Sequence, residues 1–124
     1  MHDPKIVACV DCGHAGLAGE DLAQLLLTLG KRVKALHVHD NRGLSDDHTL
    51  PYLGTINWES VTEALAQIQY DGDLTFEVTN YFNTFQDDFL DAALKFEVQI
   101  GRYLIDKIEG KKRAIQTQKS GLTS

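Results

Sequence analysis

Seven of the Asp, Glu and His side chains in this 124-residue sequence, types that bind cations and move protons, stand near the ends of strand-like runs or in the loop between them: Asp11, His14, His37, His39, Asp46, His48 and Glu77. They fall into short spacings, Asp-x-x-His, His-x-His and Asp-x-His, followed by a lone Glu. Such a set offers imidazole nitrogens and carboxylate oxygens to a divalent ion. It suits manganese, cobalt, zinc or iron better than calcium, because imidazole is not a hard oxygen ligand. Glu77 lies between Phe76 and Val78 in an apolar run. A carboxylate buried there is expected to need a partner, a proton or a metal, since an uncompensated buried charge is costly.

Each residue also has a plainer use. A single histidine usually makes an ordinary structural hydrogen bond. Asp40, Asp46 and Asp47 suit turns and are expected to be solvated. Glu77 has a lysine partner as its alternative, and Arg42 contacts either an anionic or hydroxylated substrate or only solvent. Cys9 and Cys12 form a C-x-x-C, but Cys9 lies inside a strand pattern and no second pair follows, so a structural role is expected. The sequence contains no glycine-rich phosphate loop and no Ser-His-Asp order. The case for a site therefore rests on convergence, and convergence depends on the elements.

Residues 5–10 form a short β-branched apolar run that a loop at Asp11-Cys12-Gly13 is expected to end. From Glu20, Leu22, Leu25, Leu26 and Leu29 recur at helical spacing, with Gly30 as the stop. Residues 32–39 alternate, placing Val33, Ala35, His37 and His39 on one face. After a polar loop, Asn57 caps a helix whose stripe is Trp58, Val61, Leu65 and Ile68. Residues 74–78 read as a third strand, with Glu77 on the face opposite Phe76 and Val78. Thr84 and Asp87 resemble a capping box for a final helix with the stripe Phe85, Phe89, Ala92, Phe96, Ile100, Tyr103 and Leu104. Residues 111–124 read as a polar, flexible tail, so the folded unit is expected at 1–110.

The order β-α-β-α-β-α requires parallel strands joined by right-handed crossovers. All strand C-terminal ends then share one edge, where α/β proteins place ligand sites. Asp11, His14, His37, His39 and Glu77 belong to those ends, and Asp46 and His48 to the intervening loop.

Composition bounds the partners. With 43% hydrophobic and 24% charged residues, the chain reads as one globular α/β domain. A formal charge of −6 argues against a nucleic-acid groove. No apolar stretch approaches the roughly 20 residues of a membrane span, and no secretion-signal layout precedes strand one, so a cytoplasmic location is expected. Two cysteines do not make a disulfide framework.

The stretches Val10-Asp11-Cys12-Gly13-His14-Ala15, Leu36-His37-Val38-His39-Asp40-Asn41, Ser45-Asp46-Asp47-His48, Gly54-Thr55-Ile56-Asn57-Trp58 and Tyr70-Asp71-Gly72 before Leu74-Thr75-Phe76-Glu77-Val78 occur in a telling order. Together, over about residues 5–105, they resemble the last third to half of a xylose isomerase-like TIM barrel. That is the sugar isomerase and epimerase family that also includes endonuclease IV.

The resemblance implies a partial (β/α) barrel of three parallel β-α units and a divalent metal, namely manganese, cobalt, zinc or magnesium. It implies Asp11, His37 and Glu77 as metal ligands, with His39, Asp46 and His48 as further candidates. Glu77 and His14 take the catalytic roles, and His14, Arg42 and His39 contact a sugar or polyol. The implied reaction is proton transfer next to a carbonyl through an enediolate held by the metal.

Two features depart from the family. Pro51-Tyr52-Leu53-Gly54 replaces the usual Pro-Gly-x-Gly, and a second Glu ligand belongs to an earlier strand that this sequence does not contain. A closed barrel has eight strands and about 250 residues. The alternative expectations are therefore an inactive fragment, or a binding module that self-associates or pairs with a missing N-terminal half. An endonuclease IV-like metal-dependent hydrolase is a further alternative, which the acidic charge disfavours.

Overall fold

The computed structural model describes residues 3–122. Three parallel strands, β1 (Ala8–Asp11), β2 (Val33–Val38) and β3 (Thr75–Phe76), form one sheet in the order β1-β2-β3. Cys9 pairs with Ala35, Asp11 with His37, and His37 with Thr75, so the strand ends lie level. The helices are α1 (Cys12–Leu17), α2 (Leu22–Leu29), α3 (Trp58–Gln67), α4 (Thr79–Asn83) and α5 (Leu90–Leu122).

One face of the sheet carries the core. Val10, Leu36 and Val38 pack with Leu26, Trp58, Val61, Leu65, Leu104 and Ile108. The other face is open and presents Ala35, His37, Thr75 and Glu77 only partly covered. Side-chain caps set the helix starts: Asp21 accepts from the Gln24 N–H and Asn57 from the Ser60 N–H, each at 3.1 Å. Gly30, at φ 58°, ends α2 in a backbone conformation open to glycine. Lys107 and Lys111 both grip Glu59 and tie α5 to α3, which holds the Glu59 carboxyl down at about 2.

Asp40 is fully buried, not a solvated turn former. Its Oδ2 accepts from Trp58 Nε1 at 2.8 Å, and its Oδ1 accepts the N–H groups of Asn41 and Ile56 at 2.8 and 3.2 Å. Backbone bonds to Thr49 complete the bracket. Three N–H donors drawn from β2's exit, the loop and α3 thus meet on one carboxylate, which repays burying it. A Cβ at Gly54 would lie 2.3 Å from Asp40 Oδ1, so only glycine fits the loop's return.

Other differences from the sequence reading have local causes. Strand one begins at Ala8; Ile6 and Val7 are 54% and 52% exposed because, among the described residues, β1 has no neighbour on its outer side. After Asp11 the chain enters α1 directly, without a loop. The third strand is shorter than residues 74–78, since β3 pairs on one side only, although the Glu77 N–H still donates to Val38 O at 3.0 Å. Glu77 lies on the open face with its side chain 42% exposed, which corrects the expectation of burial.

Thr84 closes α4, and the long helix starts at Leu90 instead. Its buried residues are Ala93, Leu104 and Ile108, while Phe89, Phe96 and Tyr103 are exposed. The expected flexible tail is helical as far as Leu122, because residues 111–122 contain good helix formers and no proline. Among the described residues, no helix is long and apolar enough to cross a membrane.

Removing the indole donor tests the Asp40 bracket. Trp58→Phe leaves a buried carboxylate oxygen unpaired, and denaturation followed by circular dichroism should show a loss of about 1–3 kcal/mol. An unchanged midpoint would mean that the bond contributes nothing.

Candidate metal centre

Asp11 is both the last residue of β1 and the N-cap of α1. At φ −92° and ψ 112° it is still extended, so its side chain folds over the first turn and Oδ1 accepts the His14 N–H at 2.8 Å. Helix α1 then carries His14 back over the rim. His37, one register step away on β2, places Nδ1 3.8 Å from Asp11 Oδ2 and 3.7 Å from Glu77 Oε2. Asp11, His37 and Glu77, from three adjacent strands, therefore offer ligand atoms within 4.8 Å of one another.

A second group meets the same distance criterion: His14, His39, Asp46 and His48. Asp46 Oδ2 accepts from His14 Nε2 at 2.8 Å and from His48 Nε2 at 3.0 Å. His48, in the left-handed region at φ 46°, donates from Nδ1 to the Glu77 carbonyl at 2.9 Å. His39 is wholly buried and stacks on His48, with ring centroids 4.1 Å apart and planes within 4°.

Electrostatics reflects these contacts. The hydrogen bond to Asp46 raises the His14 pKa above 6.5, helped by the nearby Asp11 charge. For His48, desolvation opposes the shift, but the bonds to the Glu77 carbonyl and to Asp46 outweigh it and the pKa rises. Desolvation likewise opposes the shift at Asp46, where the bonds from His14 and His48 win and lower it below 3.8. Both rings face an acceptor at each nitrogen, so the imidazolium form satisfies both. The Cys12 thiol, by contrast, is pushed up to about 12 by burial and then by the Asp11 and Asp40 charges, which makes it a poor nucleophile.

The donors fit a divalent cation by their chemistry. Imidazole nitrogens and carboxylate oxygens from separate elements already point at common centres, a combination typical of borderline transition ions. Arg42 is exposed, and its backbone N–H donates to Asp47 Oδ2 at 3.0 Å. It lines a cavity of about 440 Å³ with Asp47, Thr49, Asn80, Tyr81 and Thr84. Sequence reading missed two supporting residues. Asn41, buried, donates from Nδ2 to Gly13 O at 3.0 Å and fastens β2's exit to α1. Gly13 leaves the room that the His39 ring fills. The only signal for either was a glycine two residues after a strand-end aspartate.

Residues 1–96 match a family model described as xylose isomerase-like TIM barrel. Among curated proteins, the chain is 41% identical over 69 residues to the uncharacterized protein y4fM of Sinorhizobium fredii, covering 56% of this chain and 22% of that one. It is 38% identical over 72 residues to the uncharacterized protein MJ1311 of Methanocaldococcus jannaschii, covering 56% and 25%. The chain thus spans about a quarter of the length of these relatives.

Two solved structures share the fold. One is a D-tagatose 3-epimerase-like protein (TM-score 0.67, 25% identity, 90% of this chain and 39% of that chain). The other is an L-ribulose 3-epimerase (TM-score 0.65, 17% identity, 93% and 40%).

The Asp46 cluster has a signed pH dependence. The raised imidazoles add stability below pH 6.5 that is lost as pH climbs through their folded values. The lowered Asp46 adds stability above 3.8 that is lost as pH falls through its own. The cluster therefore helps most between 3.8 and 6.5. In the cation-free chain, NMR titration should put His14 and His48 above 6.5, and Asp46→Asn should lower both. Midpoints that ignore the substitution would break this account.

Proposed function

Because the chain belongs to the xylose isomerase-like TIM barrel family, we propose that it supplies the rim of a sugar isomerase or epimerase at which a cation is held and a carbon-bound proton is removed. One observation carries this reading: ligand atoms of Asp11, His37 and Glu77 lie within 4.8 Å of one another at three adjacent strand ends. These three would hold manganese, cobalt, zinc or magnesium. Such an ion, when bound, polarises a carbonyl oxygen and lowers the cost of charge developing on it.

The chain's own residues do the rest. Glu77, with its side chain 42% exposed, has the freedom to take a proton from the carbon beside a substrate carbonyl. His14, 53% exposed, orients substrate hydroxyls by exchanging its Nε2 bond to Asp46 for one to them. Arg42, exposed beside a cavity of its own, is assigned the distal oxygens of the same molecule. The D-tagatose 3-epimerase-like neighbour supports a ketose as the substrate class. Inversion requires proton return from the opposite face, a task for a residue on another part of a full barrel.

A second reading, self-association or pairing with further barrel strands, is favoured by the unpaired outer edges of β1 and β3 and by exposed Ile6 and Val7. Sedimentation velocity separates it, because a pairing module shows concentration-dependent oligomers.

Calorimetric titration with Mn²⁺ tests the cation reading. The chain should bind, and Asp11→Asn or Glu77→Gln should weaken binding at least tenfold, about 1.4 kcal/mol. With Mn²⁺ in D₂O, D-tagatose should take up deuterium at carbon 3, and Glu77→Gln should abolish that exchange. A chain that binds no Mn²⁺, as monomer or oligomer, defeats the proposal.

A further inference from the structure

His39 follows β2 and is wholly buried, yet only one of its nitrogens has a partner. Nε2 lies 2.7 Å from Asp11 Oδ1, whereas Nδ1 has no hydrogen-bond partner among the described residues. A neutral ring that donates from Nε2 to a carboxylate carries a bare lone pair at Nδ1, so the ring is fixed in one tautomer by the Asp11 bond. The packing around it is equally specific. A Cβ at Gly13 would lie 2.1 Å from His39 Cε1, the flat face rests on His48, and the edge meets His14 with centroids 5.4 Å apart.

The consequence falls on Asp11. Its Oδ1 already accepts the His14 backbone N–H at 2.8 Å, and the His39 N–H is the second bond to that oxygen. Oδ2 is the oxygen turned toward the His14 ring at 3.1 Å and His37 at 3.8 Å. Two N–H donors on Oδ1 stop the carboxylate from rotating and leave Oδ2 to meet a cation. Carboxylates and imidazoles that bind metals depend on such outer hydrogen bonds for their orientation.

We propose that His39 is a positioning residue: it locks Oδ1 of Asp11 so that Oδ2 is presented with His37 and Glu77, and it acts through Asp11 instead of as a ligand. This deepens, and rests on, the cation reading of that group. Gly13 belongs to the same device, since any larger side chain there displaces the ring.

The test uses Co²⁺ alone as the probe, with affinity from titration and ligand identity from its visible absorption bands. His39→Leu should weaken Co²⁺ binding at least tenfold. His39→Gln, whose terminal amide nitrogen reaches about as far as Nε2, should recover most of that loss with the band positions of the parent chain. Gly13→Ala should weaken binding in the parent and add nothing in a His39→Leu background.

Equal affinity in parent and His39→Leu overturns the proposal, and shifted bands in His39→Gln overturn it in favour of His39 as a ligand. If His39→Leu does not fold, His39→Gln and Gly13→Ala decide by the same criteria. If the parent binds no Co²⁺, the cation reading fails by itself. The anchor is then judged in the cation-free chain from the ¹⁵N shifts of the His39 ring. A protonated Nε2 with a bare Nδ1 upholds it, and the opposite tautomer refutes it.

Discussion

One carboxylate, Asp11, couples this fold to its site. As the last residue of β1 it is held by the sheet, and as the N-cap of α1 it decides where the next helix begins. The same oxygen that caps α1 also accepts the His39 N–H. Strand end, helix start and donor cluster therefore share a single side chain. Glutamate there would set its carboxylate farther from the backbone and lose the cap. Asparagine would keep much of the cap but lose the charge that draws three imidazoles around it.

Asp40 plays the corresponding structural part on β2. It carries no donor role at the rim, and its oxygens face the Asn41 and Ile56 N–H groups and the Trp58 indole. This bracket fixes the base of the loop between β2 and α3, so Asp46 and His48 project from a defined frame despite their polar surroundings. Leu44, at the outer bend of that loop, is 93% exposed. The two aspartates thus divide the work: Asp11 holds the donors, and Asp40 holds the scaffold that delivers them.

Much of this is readable from residue order. Alternation over residues 32–39 placed two histidines at a strand end, and parallel connections sent Asp11, His37 and Glu77 to the same rim, where the coordinates bring them together. The coarse fold followed from the same crossover rule. Other features were not readable. Asp40 has the residue type of a solvated turn, and only the distant Trp58 reveals that it is buried. Helix α4 spans Thr79–Asn83, too short to show a period. The apolar residues of α5 occur on more than one face, so spacing alone did not separate buried Ala93 from exposed Phe96. Glu77 looked buried because a strand pattern does not tell which face of a sheet is covered.

The parallel topology has a kinetic side. No pair of neighbouring strands is joined by a tight turn: β1 meets β2 only after α2 has been laid down, and β3 joins only after α3. Pairings so distant along the chain form late and slowly, because loop closure precedes any gain from contact. Asp11 comes from β1 and Glu77 follows β3, so these two share the rim only when β3 docks on β2. Before β3 docks, Asp11 and His37 already face each other across β1 and β2, but the Glu77 carboxylate is missing from their group. The meeting of Glu77 with Asp11 and His37 therefore marks completion of this part of the sheet, separating finished copies from arrested ones.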